Sequence, residues 1–263
     1  IIQSNQVMKP YITILFILIN IIPSVAQTIF QSTYSNNYKV EGGGILEIPN
    51  GELITVGTVY DSVSQKSDLF LLNLNADGTI KWEKQYGTNE TEYSRDIELT
   101  TDNHLLILGE TFGLGNNSRD VLLIKTDLNG DTIWVKHIPL NGTEVVNHIF
   151  EDSNGDYLIA AHTDSYNIGN YDMFVIKMNS AGTVLWSKTY GNASDEILHH
   201  ISEQPNGGYL LTGVTEDGQI SKNGSIISIN PNGNINWQKK IGGIQDDFLF
   251  WGEMLSVLAA FLF

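Results

Sequence analysis

The sequence predicts an all-β fold, a β-propeller of four-stranded blades, on three observations. A tryptophan recurs at spacings of 52, 52 and 51 residues, at Trp82, Trp134, Trp186 and Trp237. Fourteen residues before each tryptophan stands an acidic or amide residue, at Asp68, Asp120, Asp172 and Asn223. An alternating apolar run and a Gly-containing turn lie between these two positions in every copy. A period near 50 residues with strand and turn chemistry indicates propeller blades rather than helical solenoids.

Composition narrows the class of protein further. The 263 residues suffice for one large all-β domain, and the shared register of the copies favours one domain over two. With 14 basic and 30 acidic residues, the formal net charge is −16. Because binding to phosphate backbones needs clustered Lys and Arg, we expect no nucleic-acid partner. The absence of cysteine excludes disulfides and thiolate metal sites.

The N-terminal residues have the pattern of a targeting segment. Residues 1–7 precede the first methionine, Met8, and look like translated upstream sequence. Residues 8–26 combine one Lys, a central apolar run and small residues at the −3 and −1 positions of a cleavage site after Ala26. This pattern is typical of a secretory signal peptide, and the alternative, a membrane anchor, is disfavoured because the apolar run is short for a span. We therefore expect a secreted protein, extracellular or on the outer cell surface, with no membrane span in the mature chain.

The repeats occupy residues 27–248. Four blades are predicted, at about 37–87, 88–139, 140–191 and 192–242. Phe30 lies 52 residues before Trp82, so residues 27–36 keep the register and predict the last strand of a blade whose first three strands are absent from this end. In propellers generally, such an N-terminal strand completes the final blade and closes the ring.

The C-terminal residues depart from the pattern. A further blade starts at about Gln245, but at 257–259, where its turn is due, the chain reads Val-Leu-Ala. Residues 249–263 form a mostly apolar tail that is too short to span a bilayer. A frameshift or a clipped reading frame explains this aberrant tail better than a designed anchor. We therefore expect the four blades to be part of a larger, truncated ring.

Two kinds of connection are predicted between the strands of a blade. In the second copy the strands are expected at 94–100, 104–111, 120–126 and 132–138. Tight Asn-Gly-like turns join the first strand to the second and the third to the fourth, since such pairs tolerate positive φ at both central positions. These turns define one face of the ring, the hairpin face. The second and third strands are joined by longer loops of unlike sequence, which share the opposite, long-loop face with the blade-to-blade crossings. Variable loops on a rigid scaffold usually carry binding, so the long-loop face is the predicted functional face.

The repeats resemble those of a known class of proteins. The segments GNASDEILHHISEQPNGGYLLTGVT and SIISINPNGNINWQKKIGG combine paired acids, an NGGY-like turn, a Gly-x-Thr and an NG-to-Trp hairpin. This pattern resembles the repeats of secreted Bacteroidota β-propeller proteins, many of which end in a sorting domain of the type IX secretion system. The resemblance covers residues 30–248 and implies a mostly uncharacterised repeat class. A looser similarity to the tryptophan-docking repeats of quinoproteins covers only the Gly-to-Trp part.

Candidate ligand-binding residues lie on the long-loop face and in the channel. Tyr166 and Tyr171 belong to the loop before Asp172. Acids recur in register in the blade-to-blade crossings, at Glu92, Glu144, Glu196 and Asp247. Asp96, His148 and His200 share one position on the first strand, which lines the central channel in propellers. Two imidazoles and a carboxylate would suit a metal or an acid–base pair, while the favoured interpretation is that a wet channel tolerates polar side chains.

Other recurrent residues are interpreted structurally. The tryptophans are expected to pack between neighbouring blades, and the series beginning at Asp68 is expected to bind the backbone of the loop before it, with metal binding as the alternative. The segments 127–131 and 152–156 resemble the start of a calcium loop but lack the glycine at its sixth position, so we expect turn chemistry there. No nucleophile elbow, phosphate loop or zinc-protease helix is found, and no cofactor is expected.

These observations favour a non-enzymatic binding or scaffold module. We expect it to recognise a glycan or a protein at the cell surface through the long-loop face. The alternative is a propeller enzyme, either a quinoprotein-like dehydrogenase or a polysaccharide-degrading enzyme, with its site at the channel mouth. Fold analogy alone supports the alternative.

Overall fold

The computed structural model describes residues 39–112, 118–166, 170–216 and 222–242. The predicted signal peptide, the N-terminal strand at 27–36, Asp247 and the apolar tail lie outside these residues. Every regular element within them is a β-strand, and none of them contributes a helix able to cross a membrane.

The strands form four antiparallel sheets, each built from four consecutive strands. The first blade contains β1 (Lys39–Glu47), β2 (Leu53–Asp61), β3 (Lys66–Leu74) and β4 (Ile80–Tyr86). The second contains β5 (Glu92–Leu99), β6 (Leu105–Phe112), β7 (Arg119–Thr126) and β8 (Thr132–Ile138). The third contains β9 (Glu144–Glu151), β10 (Tyr157–Thr163), β11 (Asp172–Met178) and β12 (Val184–Tyr190). The fourth contains β13 (Asp195–Glu203), β14 (Tyr209–Glu216), β15 (Lys222–Ile229) and β16 (Ile235–Ile241). The predicted β-propeller of four-stranded blades is confirmed.

The core lies between neighbouring blades. The first strands β1, β5, β9 and β13 contact one another in sequence, so they form the inner edge of the blades. The two middle strands of the third blade are buried along their whole length, whereas every second residue of the fourth strands β4 and β8 is exposed. One apolar cluster joins Leu106 and Leu123 of the second blade to Tyr157 and Phe174 of the third. Middle strands covered on both faces explain why their sequences are apolar without alternation.

The tight turns on the hairpin face are confirmed, but their geometry is simpler than expected. Seven turn glycines have φ between 75° and 82°, while positive φ at both central positions of a turn was expected. In the first hairpin the amide of Gly51 donates to the carbonyl of Ile48, and the amide of Ile48 donates to the carbonyl of Glu52. This is a turn followed by one left-handed glycine, a common three-residue hairpin connection. Only the glycine needs the left-handed region, so the residue before it is less restricted.

The calcium-like segments are turns. The Oδ1 atom of Asp127 accepts the amides of Asn129 and Asp131 at 2.9 and 2.8 Å. Asp152 does the same for Asn154 and Asp156, at 2.9 and 3.0 Å. The acidic residues of these two segments are therefore explained by hydrogen bonds to backbone amides of the turn, without a bound ion.

The four tryptophans occupy equivalent positions, and Trp82, Trp134 and Trp186 pack between blades as expected. They pair with the third strand in one register, opposite Asn73, Lys125, Lys177 and Ser228. A Cβ added to Gly130 of the second blade would lie 3.1 Å from Cη2 of Trp82 in the first. The indole of Trp186 donates to the carbonyl of Pro231 in the fourth blade at 3.2 Å. The rings of Trp82 and Trp186 therefore rest on the outer hairpin of the next blade.

Candidate functional site

A β-bulge interrupts the first strand of every blade. The pairing register shifts between Gly42 and Ile45 in the first blade and at the equivalent point in the other three. The amide of Ser94 donates to the hydroxyl of Thr58 in the preceding blade at 2.9 Å. Bulges of this kind re-aim side chains and are frequent beside binding sites. In the second, third and fourth blades the extra residue is Arg95, Asn147 or His199, whereas the bulge of the first blade consists of glycines.

The structure brings the channel residues Asp96, His148 and His200 close together. The ring centroids of His148 and His200 lie 4.1 Å apart. The carboxylate of Asp96 accepts the amide of Ile149 at 3.0 Å and the amide of Ile97 at 2.9 Å. Asp96 is therefore engaged by backbone donors of two blades and anchors the inner strands.

Burial shifts the protonation of this channel group. It lowers the pKa of His148 to about 4 and raises the pKa of Asp96. Burial, with the charge of Asp96 next, raises the pKa of Glu98 to about 7. Among the described residues, no three His, Asp or Glu side chains are arranged to hold a metal ion. His148 is therefore neutral near pH 7, and it lies beside carboxyls that hold protons more tightly than usual.

The acids of the blade-to-blade crossings are buried rather than presented on the surface. Glu92, Glu144 and Glu196 each accept a threonine hydroxyl of the second strand of their own blade, at 3.3, 2.8 and 3.0 Å. Glu196 also accepts the amide of Asn192 in the crossing at 3.0 Å. These contacts attach the crossing to the blade. A direct contact of these three carboxylates with a ligand stays a prediction, and burial gives them a structural role.

The two predicted tyrosines differ in exposure. Tyr166 is 46% exposed, and its ring centroid lies 6.0 Å from that of Phe174. Tyr171 is half-buried, with its ring edge-on to His162 at 5.2 Å. Tyr166 is thus the more accessible of the two, and Tyr171 packs against His162 within the third blade.

The aspartates fourteen residues before the tryptophans hold a different segment from the one expected. The carboxylate of Asp120 accepts the amide of Leu140 at 3.1 Å, and Asp68 accepts the side-chain amide of Gln85 at 2.6 Å. A Cβ added to Gly191 would lie 2.0 Å from Oδ1 of Asp172. These contacts lie with the fourth strand and the segment after it, not with the loop before the aspartate. The prediction about the preceding loop is corrected accordingly, because the third and fourth strands are neighbours at this end of the sheet.

Residues that depart from the repeat were missed by the sequence analysis. The chain has two arginines, Arg95 and Arg119, and both flank Glu110. Nε and Nη2 of Arg95 donate to the two oxygens of Glu110 at 3.1 and 3.0 Å, and Nη1 of Arg119 lies 3.5 Å from Oε2. The position of Glu110 holds Thr58, His162 and Val214 in the other blades. The sequence feature that indicates this cluster is that charged residues stand at positions where most of the other blades have uncharged ones.

Aromatic rings adjoin the arginine cluster. The guanidinium of Arg119 lies 5.3 Å from the ring centroid of Phe112. The rings of Phe112 and Tyr93 are 5.7 Å apart, and those of Tyr93 and Tyr60 are 6.1 Å apart. Burial, with the neighbouring Glu41 next, raises the pKa of Tyr60 to about 12. A row of three rings thus leads from the first blade to Arg119 near the long-loop end of the strands.

Two clefts open toward the long-loop face. The larger, of about 520 Å³, is lined by polar side chains of the first blade that include Asp61, Lys66, Gln85 and Asn89. The smaller, of about 310 Å³, lies beside the fourth blade and includes Asn192, Thr215 and Lys240. Both clefts border a blade-to-blade crossing and are lined mainly by polar side chains.

Comparisons with known proteins support the fold. No protein-family model and no curated protein matches the sequence. The structure is similar to the α-L-arabinofuranosidase Arb93A of Fusarium graminearum, with a TM-score of 0.56 and 12% identity, over 78% of this chain and 68% of that one. It is similar to a protein of unknown function from Dyadobacter fermentans, with a TM-score of 0.56 and 12% identity, over 79% and 71%. It is also similar to the β-1,2-mannobiose phosphorylase of Listeria innocua, with a TM-score of 0.51 and 10% identity, over 81% and 80%. At such identities these likenesses show the β-propeller fold alone.

Proposed function

We propose that this chain is a secreted or cell-surface propeller module that binds a glycan or a protein through its long-loop face. The observation that carries the proposal is the contrast between the two ends of the strands. Turns on the hairpin face follow one pattern, with a left-handed glycine in seven of them. At the other end, side chains at equivalent positions differ between the blades, and the position of Arg119 holds Ser67, Tyr171 and Lys222 in the other three.

A rigid scaffold with one varied end suits recognition. The middle strands of the third blade are buried on both sides, and Trp186 and Tyr190 donate hydrogen bonds to the outer hairpin of the fourth blade. Side chains at the long-loop end can therefore differ without loss of the core. Tyr166, with its ring exposed, supplies contact area at little cost in conformational entropy. Export is based on the signal-peptide pattern of residues 8–26, and the Bacteroidota-like repeat class agrees with it.

The proposal is tested by presenting the purified chain to a glycan array and to cell-surface protein fractions. Replacement of Tyr166 by Ala is expected to weaken capture at least tenfold while leaving the unfolding midpoint unchanged. Leu185→Ala is the matched control, because Leu185 is similarly exposed but lies on the outer strand β12. Retention of capture in the Tyr166 variant, or absence of any ligand for the unmodified chain, would contradict the proposal.

The channel group supports a second candidate, an enzyme that degrades polysaccharide. A carboxyl with its pKa raised to about 7 beside a second acid can act as a general acid at neutral pH, and Glu98 meets this description near Asp96. Two of the similar folds belong to carbohydrate-active enzymes by name, which adds analogy only. Hydrolysis of polysaccharides that disappears in both Glu98→Gln and Asp96→Asn, with Tyr166→Ala still active, would favour this candidate over the binding module.

A further inference from the structure

Both arginines of the chain meet at one buried carboxylate. The side chain of Glu110 is fully buried, and those of Arg95 and Arg119 are each 36% exposed. Glu110 also accepts the amide of Val146 from the third blade at 3.2 Å. The guanidinium groups are thus held at a blade seam, with part of each surface in contact with solvent.

The two guanidinium groups have more N–H donors than the carboxylate of Glu110 accepts. Glu110 balances the charge of one of the two guanidinium groups, in a chain whose net charge is −16. The carboxylate of Glu41, at the far end of the ring row, accepts the hydroxyl of Tyr60 at 3.0 Å. Each guanidinium has five N–H donors, and Glu110 takes two of those of Arg95. An anion that approaches from solvent can accept hydrogen bonds from the N–H groups that do not contact Glu110.

The arginines are arranged in advance for a planar anion. Glu110 fixes the plane of the Arg95 guanidinium through two hydrogen bonds. The ring of Phe112 lies beside the guanidinium of Arg119. Guanidinium forks match carboxylates in a bidentate way, and prior ordering reduces the entropy lost on binding. A carboxylate is therefore a better match than a compact or spherical anion.

The neighbouring rings indicate what carries that carboxylate. Tyr93 and Tyr60 continue from Phe112, and their flat apolar faces can pack on the C–H face of a sugar ring while their hydroxyls remain polar. Across the seam, the side-chain amide of Asn147 and the imidazole of His162 are 3.3 Å apart and supply further polar groups. A wall of rings next to an arginine pair fits an acidic sugar.

We propose that Arg95 and Arg119 bind the carboxylate of a uronic acid residue in an acidic glycan, with the Phe112–Tyr93–Tyr60 row contacting the sugar rings. This inference rests on the proposed binding function and specifies its ligand class. The same cluster could serve only to join two blades, and the two roles separate in a binding measurement. Lys222 provides a matched position, because it occupies the register of Arg119 in the fourth blade and forms an ion pair with Glu216.

The test is isothermal titration of the full chain with a galacturonic acid oligomer and with its methyl ester, which lacks the charge. We expect the acid to bind, with affinity falling as salt rises, and the ester to bind at least tenfold more weakly. Arg119→Gln should bind the acid at least tenfold more weakly than the native protein, and Arg119→Lys should show most of the same loss of affinity. The affinity of Lys222→Gln for the acid should stay within twofold of the native value. Arg95→Gln alone would remove two hydrogen bonds from the buried carboxylate of Glu110. Arg95→Gln is therefore combined with Glu110→Gln, and this double variant should also lose at least tenfold in affinity for the acid.

The outcomes separate the inference from the proposed function. Equal binding of acid and ester, full affinity in Arg119→Gln, or no binding of the acid would overturn the inference. If the chain then captures neutral glycans or proteins in a manner that depends on Tyr166, the proposed function stands without it. If it captures nothing, both are overturned.

Discussion

The ammonium group of Lys177 in the third blade donates a 2.9 Å hydrogen bond to the phenol oxygen of Tyr209 in the fourth. Lys177 also donates to Asp152 at 2.9 Å, and Tyr209 donates to the same carboxylate oxygen at 2.7 Å. Lys125 of the second blade repeats the contact with Tyr157 of the third, at 2.8 Å. In the first blade this lysine position holds Asn73, and the residue in register with the tyrosines is Leu105. In these three blades a lysine thus stands at this position only where the next blade has a tyrosine hydroxyl to accept its hydrogen bond.

Removal of Lys177 should destabilise the fold strongly. The side chain of Asp152 is fully buried, and its pKa is lowered because hydrogen bonds from Lys177 and Tyr209 outweigh the effect of burial, which acts in the opposite direction. In Lys177→Met this carboxylate loses its cation, and leaving one charge of a buried pair costs about 3–5 kcal/mol. Guanidinium chloride denaturation at pH 7 measures the change in the free energy of unfolding.

The control for this prediction is an exposed ion pair. Lys222 and Glu216 are both more than one third exposed, and such pairs contribute about 0–1 kcal/mol. Lys222→Met should therefore alter the free energy of unfolding far less than Lys177→Met. Similar losses in the two variants would show that the buried triad does not stabilise the seam.

Glycine on the second strand is required by close approach of the first strand. A Cβ on Gly213 would lie 2.0 Å from the carbonyl oxygen of Ile197, a backbone atom that cannot turn away. Gly213→Ala should cost about 1–3 kcal/mol, as overpacking usually does. Gly42 has no atom within 4 Å of the same added carbon, so Gly42→Ala should change stability by less than about 0.5 kcal/mol. Urea denaturation of both variants makes the comparison, and an equal effect would contradict it.

The fold could be predicted from the sequence because the repeat displays it four times. Tryptophan spacing and Asn-Gly-like turns locate the strands of the second blade to within about two residues, as β5 at Glu92–Leu99 shows. Burial could not be predicted with the same success. Glu92 was expected on the surface because crossings are usually exposed, yet a threonine hydroxyl of the neighbouring strand satisfies it inside the blade.

The arginine cluster could not be predicted from repeat comparison, which looks for what the copies share. Arg95 reaches Glu110 because a bulge shifts the register between Ser94 and Asp96, and no residue pattern in the sequence announces that bulge. Arg119 joins them only through the pairing of β6 with β7. The channel residues were found because His148 and His200 share one repeat position. A search for residues that violate the repeat would have found the arginines.

His148 should make stability depend on pH. Burial lowers the pKa of His148 in the folded protein to about 4, against about 6.5 when unfolded. Between these values the unfolded chain binds more protons, so the stability of the native protein falls as pH falls from about 6.5 to 4. His148→Asn lacks this titration. The difference in free energy of unfolding between the native protein and this variant should change by up to about 1.4 kcal/mol per pH unit in this window. A constant difference from pH 4 to 7 would refute the assignment.

Glu98 should act with the opposite sign. Burial, with the charge of Asp96 next, raises the pKa of Glu98 to about 7, so the folded protein holds a proton there between about 4.5 and 7 that the unfolded chain has lost. The native protein is therefore destabilised as pH rises through this window. Glu98→Gln is neutral at every pH. Its free energy of unfolding should equal that of the native protein near pH 4 and exceed it by about 1–2 kcal/mol at pH 8. Urea denaturation at both pH values measures the two differences. Glu83→Gln, on the exposed side of β4, should differ by less than about 0.5 kcal/mol at either pH. A gain for Glu98→Gln that is equal at pH 4 and pH 8 would mean that packing, rather than the buried charge, accounts for it.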